Sequence, residues 1–166
     1  MNKKQILLSL ALILPVIVFI FLKFFGKNKF DIPLYYKNGV DSLAHVCEIG
    51  TSKPYQLSDS ALRAINWKGT NLILITVNPS PGEIENFRHV YEEIDQVKVS
   101  SIYLSEGEMG MSKENIDQWV TCICLLKKPR KTVLVDNQKH IRGYYNLTSR
   151  EETDRLIVEL QVLLQQ

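Results

Sequence analysis

Acidic residues are missing from the first 30 positions of this 166-residue chain, and from Ile6 to Leu22, ILLSLALILPVIVFIFL, no charge of either sign occurs. A run without charge excludes an ordinary amphipathic surface helix, which needs a polar face. A basic surplus is also missing from the rest. Five of the 20 basic residues lie in those first 30 positions, so the remainder carries 15 basic against 18 acidic residues, net −3. That balance excludes a nucleic-acid interface, which needs a concentrated basic face. Beyond Lys23, Lys27 and Lys29 no polybasic patch for anionic lipid is expected either. Cysteine is scarce: Cys47, Cys122 and Cys124 are the full set, with no C-x-x-C and no C-x-x-x-C spacing.

What the N-terminal run does offer is a membrane anchor. It is flanked by Lys3 and Lys4 on one side and by Lys23, Lys27 and Lys29 on the other, and Phe24 and Phe25 extend it. Its length approaches the ~20 apolar residues that cross a ~30 Å hydrocarbon core. The rival is a cleaved signal peptide, but the residues that follow are Lys, Phe, Phe, Gly and Lys, with no small-x-small cleavage site and no lipid-accepting cysteine. Residues 1–27 are therefore expected to stay attached as a signal anchor. The lysines on the two sides nearly balance, so charge does not choose an orientation.

Residues 28–60 hold Pro33, Gly39 and Gly50 without a sustained period and are expected to form a stalk and lead-in. Residues 61–166 are expected to form one domain. Asn71 to Val77, NLILITV, reads as a strand buried on both faces. Behind it Ser80, Pro81 and Glu83 spell an N-cap, a first-turn proline and a capping box. Ile84, Phe87, Val90, Tyr91 and Ile94 then recur at helical spacing, and Val97 to Leu104 resumes strand composition. Glu106 to Met111 is a loop, and Ser112 leads into a short helix with Ile116, Trp119, Val120 and Ile123 on one face. Thr132 to Val135, the turn Asp136-Asn137-Gln138, and Ile141 to Tyr145 predict a β-hairpin. Thr148-Ser149-Arg150-Glu151 predicts a capping box before a helix striped with Leu156, Ile157, Leu160, Leu163 and Leu164. The order β, α, β, α, β, β, α predicts a mixed sheet flanked by helices, in the thioredoxin-like arrangement.

The terminal block TVLVDNQKHIRGYYN with TSREETDRLIVEL, the anchor, and the strings DIPLYY and PYQLSD together resemble the SCO/SenC family. The resemblance covers the anchor, the lead-in and the last third of the chain; between them it is diffuse. It implies a membrane-anchored, extracytoplasmic (periplasmic) thioredoxin-like domain that takes part in electron transport through assembly of the copper centre of cytochrome c oxidase. The family's copper and disulfide chemistry uses a C-x-x-x-C loop after the central strand and a histidine ahead of the terminal hairpin. Here the matching loop reads Asn78-Pro79-Ser80-Pro81-Gly82, and the stretch before the hairpin reads Lys128-Pro129-Arg130-Lys131. No ligand of the family carries over, so neither a catalytic residue nor a copper cofactor is expected. A partner protein of respiratory-chain assembly is.

Other residues that could carry chemistry have simpler readings. Thiols at a helix amino end are activated by the dipole and free amides, but Ser80 and Asn78 cannot exchange disulfides, and Ser80 serves as a cap. Cys122 and Cys124, as i and i+2 on a helix, point about 200° apart and share an ion only if the helix ends between them. They and Cys47 remain the thiol candidates, with their pairing open, and they carry the rival hypothesis of a thiol-disulfide redox protein or sensor. His89 with Glu85, Glu92 and Glu93 makes a solvated face. His45 and His140 lack ligand spacing. Trp119, Tyr144 and Tyr145 are core residues, and Asn146-Leu147-Thr148 matches a glycosylation acceptor whose threonine doubles as the expected helix cap.

Overall fold

A computed structural model describes residues 3–25, 31–40, 47, 52–67, 69, 71–94 and 98–165. The chain divides into two units, Met1–Asp31 and Ile32–Gln166. In the first, helix α1 (Lys3–Phe25) runs for 23 residues with Pro15 inside it. Every side chain from Leu12 to Phe21 is exposed. Of the other α1 side chains only Lys4 and Lys23 are described, and among the described residues no helix is long and apolar enough to cross a membrane. The spanning reading of Ile6 to Leu22 therefore rests on the sequence.

The second unit is a mixed α/β domain built on a four-stranded sheet in the order β2-β1-β3-β4. Strand β1 (Leu72–Val77) is buried along its whole length, as its unbroken apolar run predicts. It pairs in parallel with β2 (Val99–Leu104), Leu72 opposite Val99 and Val77 opposite Leu104. On its other side β3 (Thr132–Val135) runs antiparallel, and β4 (Ile141–Tyr145) closes the hairpin. Thr76 and Thr132 are buried where β1 meets β3, and their hydroxyls satisfy each other at 3.0 Å. Burying two hydroxyls is tolerable only because each is paired.

Alternation along the strands gives the sheet two apolar faces. On one, Leu74, Leu134 and Tyr145 meet Phe87 and Val90 of α3 (Pro81–Glu93) and Leu156 and Leu160 of α5 (Arg150–Leu164). On the other, Ile73, Ile75, Val133 and Tyr144 meet Leu62 of α2 (Asp59–Ala64), Ile116 of α4 (Lys113–Gln118) and Trp119. The lead-in joins this second face: Tyr55 and Leu57 are buried in it, and Leu57 N–H donates to Lys139 O at 3.0 Å. Much of residues 28–60 lies outside the described set.

The β, α, β, α, β, β, α order appears as expected, and three local expectations need correction. Helix α2, six residues capped by the Ser58 hydroxyl on Ala61 N–H, was not expected from the sequence. Ile84, placed on the apolar stripe, is 46% exposed, because at that turn Glu83 is the residue that points inward. The capping box at Thr148 does not form. Helix α5 starts one residue later, with Ser149 as its N-cap and no side-chain cap bond, while the Thr148 hydroxyl turns back to Asn146 Oδ1 at 2.9 Å. The threonine of the sequon is thus held by its own asparagine and not by the helix.

The hairpin carries a register shift at Leu134/Val135: Leu134 faces Gly143 and Val135 faces Ile141, leaving Arg142 as the extra residue. Tyr145, two residues beyond Gly143 on the same face, lays its ring where a Gly143 side chain would stand. Its hydroxyl donates to Glu159 and the Arg155 guanidinium lies 4.8 Å from its ring centre, so the ring is pinned to α5. Gly143→Ala should therefore cost about 1–3 kcal/mol of unfolding free energy. The loss should shrink in a Tyr145→Leu background; equal losses in both backgrounds, measured by denaturant titration, would contradict this packing.

Candidate functional site at the Cys47–Cys122 cleft

Two places hold residues that the sequence singles out: the amino end of α3, with Asn78 and Ser80, and the cleft where Cys47 and Cys122 lie. At the first, Asn78 leaves β1 with φ +45°, a left-handed conformation that asparagine tolerates better than most residues. Ser80 then caps α3 with the full capping box, and Pro81 takes the first turn, both as expected. The box does more than cap. Glu83 is 1% exposed, and its Oε2 accepts from Ser80 N–H (2.8 Å), from the Ser80 hydroxyl (2.8 Å) and from Lys131 Nζ (2.9 Å). Lys131 also donates to Asn78 O at 3.3 Å.

Burial works against the Glu83 charge, yet the Ser80 amide and hydroxyl and the Lys131 ammonium outweigh it and hold the carboxyl below its ordinary value. The positive end of α3 is consequently filled by the chain's own carboxylate. Pro81 has no N–H to offer. An external anion or a thiolate would have to compete with Glu83 for the Ser80 amide, and no thiol is present in the loop.

The sulfurs are elsewhere. Cys47 and Cys122 form a disulfide across 75 residues of sequence, with their Cα atoms 5.4 Å apart. This settles the pairing that the sequence left open. A π-helical turn, Trp119–Ile123, follows α4 and carries Cys122, with Cys124 just past its end. The turn ends with Cys124 N–H donating to Trp119 O at 2.8 Å, and it leaves Cys122 half-buried while Cys124 faces the core, 0% exposed. Burial pushes the Cys124 thiol well above its ordinary range, so it is inert as a nucleophile. The two sulfurs of the C-x-C therefore have different surroundings, Cys122 in a disulfide and Cys124 free and buried.

Cys47 and Cys122 both line a cleft of about 1020 Å³. Its apolar wall includes Leu57, Met111 and Trp119, and its polar rim includes Ser58, Ser60, Asn115 and Gln118. Tyr55 fixes the π turn against the lead-in by donating its hydroxyl to Ile123 O at 2.8 Å. Across the rim Lys139 Nζ pairs with Asp59 Oδ1 at 2.7 Å.

His140, given no role by its spacing, is 8% exposed and sits between two polar neighbours. Gln56 Nε2 donates to its Nε2 at 3.2 Å, and Asp136 Oδ2 lies 3.5 Å from its Nδ1. Asp136 also accepts from Gln138 N–H, His140 N–H and Arg142 Nη1, and Arg142 Nη2 donates on to Ile32 O at 3.0 Å. The cluster is a buried clasp that joins the hairpin turn to the lead-in. His89 is exposed on α3 as expected of a solvated face, and His45 lies outside the described residues. Among the described residues no three His, Cys, Asp or Glu side chains gather as metal ligands do. Trp119, Tyr144 and Tyr145 are core residues, and Tyr144 donates its hydroxyl to Cys124 O at 2.8 Å.

Compared with protein-family models and with curated proteins, the chain matches none. The two features that spacing missed are the inward Glu83 with Lys131 and the Cys47–Cys122 bond. The first carried a faint signal, since a capping-box glutamate is already directed at the helix end. The second carried none, because the two cysteines meet only through the tertiary fold.

Because the folded-state pKa of Glu83 is lowered, its ionic contribution is complete above the ordinary value of 4.5 and is lost as pH falls below it. Glu83→Gln should cost roughly 1–3 kcal/mol near neutral pH, a range that allows for the partly exposed Lys131. The difference between variant and wild type should narrow below pH 4.5. Stability curves that stay parallel at all pH values would contradict the arrangement.

Proposed function

We propose that this chain is a membrane-anchored, extracytoplasmic protein similar to SCO/SenC, linked to assembly of cytochrome c oxidase, that acts by binding a partner protein without the family's copper and thiol site. The strand order β2-β1-β3-β4, with β1 and β2 parallel and the terminal hairpin antiparallel, supports the thioredoxin-like reading of the domain. The disulfide supports an oxidising compartment, where such bonds persist. The charge-free run Ile6 to Leu22 supports the anchor, in a 23-residue helix whose side chains from Leu12 to Phe21 are all exposed.

The observation that carries the binding role is the occupied amino end of α3. Where a reactive pair would be activated, Ser80 gives its amide and hydroxyl to Glu83 and Lys131 completes the charge balance. The rival reading, thiol-disulfide chemistry through Cys122 and Cys124, loses its partner because Cys124 is sealed in the core. It survives only through Cys47 and Cys122.

Full-length protein in detergent should take up no Cu(I) stoichiometrically in a competition titration, and tight one-to-one uptake would overturn the copper-free reading. Deleting the gene should lower cytochrome c oxidase activity in the host membrane. Unchanged oxidase would remove the respiratory role while leaving the fold reading intact.

A further inference from the structure

We propose that the Cys47–Cys122 disulfide is an exchange site for an external dithiol, which enters the cleft and attacks the Cys122 sulfur. Three observations support this. Both cysteines line the same open cleft, so the bond is reachable without dismantling the sheet. The two ends differ: Cys122 is half-buried at the wall, whereas Cys47 is only 6% exposed, which marks Cys122 as the sulfur to be attacked and Cys47 as the leaving thiolate. Third, the disulfide is not what docks the π turn. Tyr55 holds that turn by its bonds to Cys122 O and Ile123 O, and the turn's own Trp119 is buried in the core, so the turn keeps its place when the bond opens. The inference stands on the cleft and does not depend on kinship with SCO/SenC.

The exchange balances as follows. A thiolate of the dithiol forms a bond to Cys122 Sγ as the Cys47–Cys122 bond breaks, and the electron pair leaves on Cys47 Sγ, which takes a proton. The second thiol of the dithiol, as its thiolate, then attacks its neighbour in the mixed disulfide and releases Cys122. The protein gains two electrons and two protons, and the dithiol leaves as a disulfide. Cys124, two residues on but facing the core, cannot serve as the resolving thiol, so resolution must come from the incoming molecule. The Ser, Asn and Gln side chains of the rim, with the Asp59–Lys139 pair, suit an extended polypeptide that carries such a dithiol.

The test uses full-length protein in detergent, dithiothreitol as the dithiol, and alkylation read by mass spectrometry, with Cys124 as an internal reporter of unfolding. Exchange through the cleft predicts alkylation of Cys47 and Cys122 under native conditions at a rate within about tenfold of that in denaturant, with Cys124 unmodified. If all three thiols become modified together, and only as denaturant opens the domain, the disulfide is a buried structural bond and the proposal fails. A second arm addresses direction: in Cys47→Ser, native Cys122 should form a mixed disulfide with oxidised glutathione. Absence of that adduct in a variant whose circular dichroism matches wild type would overturn attack at Cys122.

Discussion

A carboxylate that leaves water must be neutralised where it lies, and the arrangement around Glu83 follows from that constraint. Removing a carboxylate from solvent costs several kcal/mol even after relaxation, so its partners have to be in place before the site can close. Ser80 supplies an amide and a hydroxyl from the helix end, and Lys131 supplies a full charge from the start of β3. Because Lys131 also reaches Asn78 O, one ion pair locks the β1–α3 junction to the β3 strand beside it. The same contacts take up the helix end that would otherwise stabilise an anion or a thiolate. The helix cap and the ion pair at this point therefore share one carboxylate.

On the opposite face of the sheet the chain solves a different problem, how to hold a lead-in whose described residues before α2 form neither helix nor strand. Asp136 gathers the hairpin turn and Arg142, and Arg142 reaches Ile32 O. Gln56 meets His140, Leu57 bonds to Lys139 O, and Tyr55 bonds to the π turn. The Cys47–Cys122 bond adds a covalent link between the lead-in and that turn. The disulfide lies on this face and not at the end of β1.

Much of the architecture was legible from local physics. The run Leu72 to Val77 has no charged residue and only Thr76 that is polar, and Ser80-Pro81-x-Glu83 satisfies the helix end in a way few other arrangements would. The hairpin and α5 stripe were legible for the same reason, since turn chemistry and periodicity agree. Local physics misplaced the α5 cap because Thr148 and Ser149 are both hydroxyl residues and Asn146 offered the threonine a nearer partner. It missed α2 because six residues carry too little periodicity, and it set Ile84 inward because period alone cannot foresee a neighbouring glutamate claiming the buried position. The disulfide was illegible in principle: its two cysteines stand 75 residues apart and Cys124 was an equal competitor until the π turn separated it from Cys122.

The account turns on where the three sulfurs are. The most direct measurement is a thiol count on full-length protein isolated from its host under acid quench and alkylated in denaturant. The Cys47–Cys122 bond predicts one reactive thiol among the three cysteines, at Cys124, and three after reduction. Three thiols before reduction would contradict both the proposed compartment and the bond, and a free Cys47 or Cys122 beside an oxidised Cys124 would contradict the fold of the π turn.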